Sequence, residues 1–159
     1  MLKGEVVVQE TATEVACTVD AYIPETYVSS ERERLRLYQR IASLGGEKDG
    51  KALLADMTDL YGAPPKEVER LVDVSLLRVL GSRVGVSKIE IDNRFCRVRW
   101  VSPDYPASLG VQSALRKIAD ECRLVATDEF VELMPAKQLV GYKMQVVKRF
   151  LRYCNGNYT

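Results

Sequence analysis

Histidine is absent from this chain of 159 residues, and that absence removes a large part of enzyme chemistry. Ser-His and Cys-His nucleophile activation need an imidazole base, and every His-ligated metal site needs its nitrogen. The four cysteines, Cys17, Cys96, Cys122 and Cys154, are far apart and include no Cys-x-x-Cys pair. A four-thiolate zinc site is built from close ligand pairs. The cysteines therefore read as reduced, buried or free thiols of a cytoplasmic protein. No apolar run approaches the ~20 residues needed to span a bilayer. The start Met1-Leu2-Lys3-Gly4-Glu5 has no long apolar stretch and predicts no secretory signal. Repeats and low-complexity tracts are missing too. Paired carboxylates can act without histidine, but no Asp or Glu pair here falls into a recognisable pocket pattern.

What remains is an ordinary globular composition, 47% hydrophobic and 28% charged, enough for one domain with its own core. A net charge of +1 points to no partner. Charge is distributed unevenly, however. Residues 1–31 carry Glu5, Glu10, Glu14, Asp20, Glu25 and Glu31 against Lys3 alone, whereas residues 137–159 carry Lys137, Lys143, Lys148, Arg149 and Arg152 with no acid. An acidic arm and a basic tail can attract each other or meet outside partners.

Periodicity gives the elements. Residues 5–8 and 15–19 read as extended segments, and Pro24 interrupts regular structure. Ser30 with Glu33 is a capping-box pattern, and Leu35, Tyr38, Ile41 and Ala42 share a face of the helix that follows, up to Gly45-Gly46. A second helix is predicted over 51–61, with Leu53, Met57, Leu60 and Tyr61 inward and Gly62 as its stop. Pro64-Pro65 opens a third, broadly apolar helix through Val68, Leu71, Val72, Leu76, Val79 and Leu80. Ile89 and Ile91, a turn at Asp92-Asn93, and alternating Cys96, Val98 and Trp100 predict a hairpin with Arg97 and Arg99 on its wet face. A helix over 109–122, short strands at 124–126 and 130–134, and a basic helix over 137–153 complete the chain. In that last helix Leu139, Val140, Met144, Val147, Phe150 and Leu151 face inward, and the lysine heads are expected in solvent with their stems on apolar surface. The fold class is α+β: helices packed on short antiparallel hairpins, a single domain with an extended N-terminal arm.

Three patterns bear on function. Gly45-Gly46-Glu47-Lys48-Asp49-Gly50-Lys51-Ala52 matches G-x4-G-K, but Ala52 stands where a hydroxyl should meet magnesium, and the segment follows a helix instead of a strand. It reads as an inter-helix loop. Asp56 and Asp59 lie three apart on one helix face, in the last turn, where the helix dipole disfavours negative charge by ~0.3–1 kcal/mol each. They are simply solvated, pair weakly with a neighbouring arginine, or meet a cation from elsewhere. Arg94, Arg97 and Arg99 could hold phosphates, although a solvated strand face explains them as well, and Trp100 alternates towards the core.

Asp20-Ala21-Tyr22-Ile23-Pro24-Glu25-Thr26-Tyr27-Val28, the charged helix ending Leu35-Arg36-Leu37-Tyr38-Gln39-Arg40-Ile41-Ala42-Ser43, and Asp59-Leu60-Tyr61-Gly62-Ala63-Pro64-Pro65 carry a family pattern. With Leu76-Leu77-Arg78 and Gly85-Val86-Ser87-Lys88-Ile89-Glu90, this order resembles the C-terminal (TRCF) domain of bacterial transcription-repair coupling factors (Mfd). Residues 20 to about 91 carry the match. The resemblance implies residues 1–19 as an extended arm or linker from an upstream translocase module and 20–159 as a regulatory domain. It implies no catalytic, metal or cofactor site in this domain, with ATP and magnesium confined to the motor of the parent, a DNA translocase that acts on duplex DNA with RNA polymerase and UvrA. It also implies docking on the UvrB-like module of the same polypeptide, covering the UvrA-binding surface and restraining the motor. By position Asp56 and Asp59 match the family's docking carboxylates, and Leu60 stands where the family usually has an arginine. The alternative is a stand-alone nucleic-acid-binding module using the Arg94, Arg97 and Arg99 hairpin and the basic last helix.

Overall fold

A computed structural model of the chain describes residues 12–137 and 139–156. The extended segment expected at 5–8 lies outside them. Ser30 caps helix α1 (Glu31–Ala42), its hydroxyl accepting from the Glu33 N–H at 3.2 Å. The Glu33 carboxylate meets Arg36 at 3.7 Å, so the capping box is one-sided. Helix α1 buries Leu37 and Ile41 and half-buries Arg34 and Tyr38, while Leu35 and Ala42 face outward. The stripe is thus rotated from the one expected. The Ser75 hydroxyl, donating to the Ile41 carbonyl at 2.6 Å, holds that rotation from the neighbouring helix.

Helix α2 (Glu47–Tyr61) begins at Glu47 instead of Lys51. Glu47 and Asp49 suit the positive end of a helix dipole. Gly50, a poor helix former, is kept inside this helix by packing: a Cβ there would lie 3.1 Å from Leu76 Cδ1. Helix α2 buries Leu53 and Met57 and half-buries Tyr61, but Leu60 is 72% exposed. The inward place expected for Leu60 is therefore wrong. The inner stripe runs 50, 53, 57; Leu60, seven residues after Leu53, lies on the same side of the helix but in its last turn, where it is left exposed.

Helix α3 (Lys66–Arg83) starts after Pro65 and is apolar on two sides. Val68, Val72 and Leu76 enter one core with Ile23, Val28, Leu37, Ile41, Leu53 and Met57. Leu77 and Leu80 enter a second core beneath the sheet. Ending α3 and starting the sheet requires Gly85, which has φ +74° and lies so close to the Tyr105 ring that a Cβ would sit 2.4 Å from it.

Among the described residues the sheet has five strands: β1 (Glu14–Cys17), β2 (Val86–Ile91), β3 (Cys96–Trp100), β4 (Arg123–Ala126) and β5 (Phe130–Met134). Their order is β1-β2-β3-β5-β4. All pairs are antiparallel except β1–β2, which is parallel with Val15 opposite Ile89. Part of the expected arm is thus an edge strand of the sheet, held also by Thr13, whose buried hydroxyl donates to the Val86 carbonyl at 2.7 Å. Helix α4 (Leu109–Ile118) and helix α5 (Val140–Cys154) complete the layer, covering Ile89, Ile91, Cys96, Val98, Trp100, Val131 and Leu133 with Val111, Ala114, Ile118, Met144, Val147 and Phe150. Trp100 packs edge-on against Phe150, with ring centroids 6.3 Å apart. Leu139, expected inward, is exposed just before α5. The fold is α+β, as the residue pattern predicts.

Candidate functional site

The segment 20–28 is stitched to the helices and fixes the end of α2. The Tyr27 and Val28 N–H groups both donate to the Pro24 carbonyl at 3.0 Å, making a tight turn. Ile23 and Val28 are buried on either side of it. The Ile23 N–H donates to the Tyr38 hydroxyl at 2.8 Å, and Arg34 donates to the Val28 and Ser29 carbonyls at 2.8 and 3.0 Å. The Tyr27 hydroxyl donates to the carbonyls of Gly62 (2.8 Å) and Met57 (3.2 Å), and its ring stands edge-on to Tyr61. Burial, and then Tyr61, raise the Tyr27 phenol above its ordinary value, so it remains a donor at neutral pH. Gly62 has φ +88°, the left-handed stop a glycine adopts without Cβ strain.

On this fixed end the outward stripe is Asp56, Asp59 and Leu60. Asp56 is held by one cation from another helix: Arg40 Nη2 lies 2.6 Å from its Oδ2, with both side chains about half exposed. Asp59 is exposed and has no hydrogen-bond or ion-pair partner among the described residues. The last turn of α2 contains no basic residue. The result is an acidic and apolar surface at the negative end of a helix, able to take a cation and an apolar neighbour but with no group placed for bond chemistry.

The other candidates are occupied differently. The Arg97 guanidinium forks onto Glu132, with Nε 3.0 Å from Oε1, and lies over the rings of Phe95 (4.7 Å) and Phe130 (5.0 Å). Arg99 reaches Glu90 at 3.5 Å and also lies over Phe130. Arg94 is exposed at the β2–β3 turn, where its N–H donates to Asp92 Oδ1. On α5, Lys148 pairs with Asp73 at 2.8 Å, Arg149 with Glu121 at 3.3 Å and Arg152 with Glu47 at 3.6 Å. Lys143 is fully buried and donates to the Asp92 carbonyl at 2.5 Å. Lysine heads expected in solvent are therefore internal at 143 and 148, because acids and carbonyls of distant elements meet them there. Sequence reasoning missed these pairings, and it allowed Asp56 and Asp59 a neighbouring arginine without identifying Arg40, since each pair joins elements far apart in the chain.

Of the Gly45–Lys51 segment, Gly45 and Gly46 precede α2 and residues 47–51 form its first turn, and the Gly45 N–H donates to the Asp49 carboxylate at 2.8 Å. That carboxylate stands where a phosphate loop would present free donors. All four cysteines are free, and burial pushes the Cys96 and Cys154 thiols up to about 12. Among the described residues no three His, Cys, Asp or Glu side chains are grouped to hold a metal, and no helix is long and apolar enough to cross a membrane.

Comparison with known proteins agrees with this architecture. The family model for the TRCF domain matches residues 17–108, more than half of the chain. A transcription-repair-coupling factor of Mycobacterium tuberculosis is 37% identical over 71 residues, 45% of this chain and 6% of that protein. The Bacillus subtilis protein of the same name is 34% identical over 86 residues, 54% of this chain and 7% of its own length. The chain thus spans less than a tenth of these relatives. A crystal structure of the C-terminal domain of a transcription-repair coupling factor superposes with TM-score 0.80 at 16% identity, covering 93% of this chain and 94% of that one.

Proposed function

Because the chain belongs to the TRCF domain family, we propose that it is the regulatory C-terminal domain of a transcription-repair coupling factor, a non-catalytic unit of a cytoplasmic ATP-driven DNA translocase. In this reading it docks on the UvrB-like module of its own polypeptide, masks the UvrA-binding surface and restrains the motor. ATP and magnesium belong to the motor, and RNA polymerase and duplex DNA are reached through the parent protein. The observation that carries the reading is the outward stripe of α2: Asp59, without a partner among the described residues, beside a 72%-exposed Leu60, at a helix end with no basic residue. A surface that is both apolar and anionic suits a basic protein face better than water. The pairing of Lys148, Arg149 and Arg152 with acids of this chain favours this reading over a stand-alone nucleic-acid module.

Docking need not be tight, because tethering raises the effective concentration of the module. Engagement of polymerase and DNA by the parent then shifts a two-state equilibrium towards the undocked form. In the full-length protein, Asp56→Arg with Asp59→Arg is expected to raise both UvrA affinity and ATPase rate while the isolated domain keeps its melting temperature. Unchanged UvrA affinity and ATPase rate would overturn the assignment.

A further inference from the structure

Arg40 and Asp56 lie on different helices, 16 residues apart, and make the one ion pair on this stripe among the described residues, at 2.6 Å with both groups half exposed. Such a pair is weak in water and exchanges readily. Arg40 has a second home. It sits in the last turn of α1, where the helix dipole favours a cation whether or not Asp56 is present. Releasing Asp56 therefore leaves no buried charge behind. Asp59 and Leu60, adjacent and exposed, have no such holder among the described residues.

We propose that Arg40 is an internal competitor for Asp56: it occupies that carboxylate in the free domain and sets how many cations a partner must bring. Resting on the docking reading above, this specifies the partner's chemistry. The fitting surface is a protein face with an apolar socket for Leu60, one cation for Asp59, and a second cation strong enough to take Asp56 from Arg40. A face with a single cation would engage Asp59 alone and dock weakly.

The test is a binding titration of the 159-residue chain against the separately expressed UvrB-like module of its parent, at low and at physiological salt. Arg40→Gln is expected to tighten docking about three- to tenfold at low salt, with a steeper loss as salt rises. Arg40→Lys, which keeps the charge, should stay within about twofold of the parent chain. In Arg40→Gln with Asp56→Asn the gain should disappear, because nothing remains to compete for. Arg40→Gln without tightening, while Leu60→Asp or Asp59→Lys still weakens docking, would discard the competitor and leave the docking surface intact. A persistent gain in the double variant would also discard it. If neither Leu60→Asp nor Asp59→Lys changes binding, or the parent chain does not bind, the docking reading fails and the competitor with it. Melting curves of each variant separate loss of binding from loss of fold.

Discussion

The hydroxyl of Tyr27 donates to the carbonyl of Gly62 at 2.8 Å, across 35 residues of chain. The contact ties the extended segment before α1 to the residue that stops α2, and so fixes the direction in which Asp59 and Leu60 project. Tyr27→Phe keeps the ring against Tyr61 and removes only the donor. Leaving the Gly62 and Met57 carbonyls without it is expected to cost about 1 kcal/mol in urea unfolding. Amide exchange near the end of α2 should quicken more than exchange in β3.

Lys148 and Asp73 form the most enclosed ion pair described, with side chains 10% and 18% exposed. Removing one member strands the other. Lys148→Ala is expected to cost about 3 kcal/mol, whereas Lys148→Met together with Asp73→Leu should recover most of that loss. Equilibrium unfolding of the two singles and the double measures the coupling.

The Cys96 and Cys154 thiols give an alkaline signature. Burial raises both from 9.0 to about 12, so the folded chain keeps protons that the unfolded chain releases. Their contribution is fully present below pH 9 and is lost as pH rises from there towards 12. Unfolding free energy should fall over that window, less steeply in Cys96→Ala. At pH 8 a thiol reagent should reach these two positions only after unfolding.

Asp92 gives the acid counterpart. Its Oδ1 accepts from the Phe95 and Arg94 N–H groups at 3.0 and 2.8 Å, and these bonds hold its carboxyl below the ordinary 3.8. A depressed folded value means stability that is present above 3.8 and lost as pH falls through the folded value. Asp92→Asn, which keeps an acceptor but cannot titrate, should flatten the acid limb of a pH–stability profile by lowering neutral stability towards the value at low pH.

Local signals were the legible ones. Ser30 as a cap, Pro65 before α3, Gly62 as a stop and the alternation of Cys96, Val98 and Trp100 each depend on neighbours in sequence, and each holds. Rotational phase was less legible. Helix α1 carries both Leu35 and Leu37, and only the contacts with segment 20–28 and Ser75 decide that Leu37 turns inward. The early start of α2 was hidden by Gly50, which serves Leu76 of another helix. Parallel pairing of β1 with β2 joins residues more than 70 apart and has no local mark. At the site, the carboxylates were visible as a spacing on one helix. The grip of Arg40 was not, because it comes from a different one.

Helix α3 has a buried face on each side, Val68, Val72 and Leu76 towards the helical core and Leu77 and Leu80 towards the sheet. The stretch recognised as the family ends at residue 108, before α4 and α5. A chain trimmed there would keep α3 but strip its sheet-side flank of Met144, Val147 and Phe150, baring a greasy stripe prone to self-association. The signature by which the family is known is therefore shorter than the smallest piece that can stand on its own.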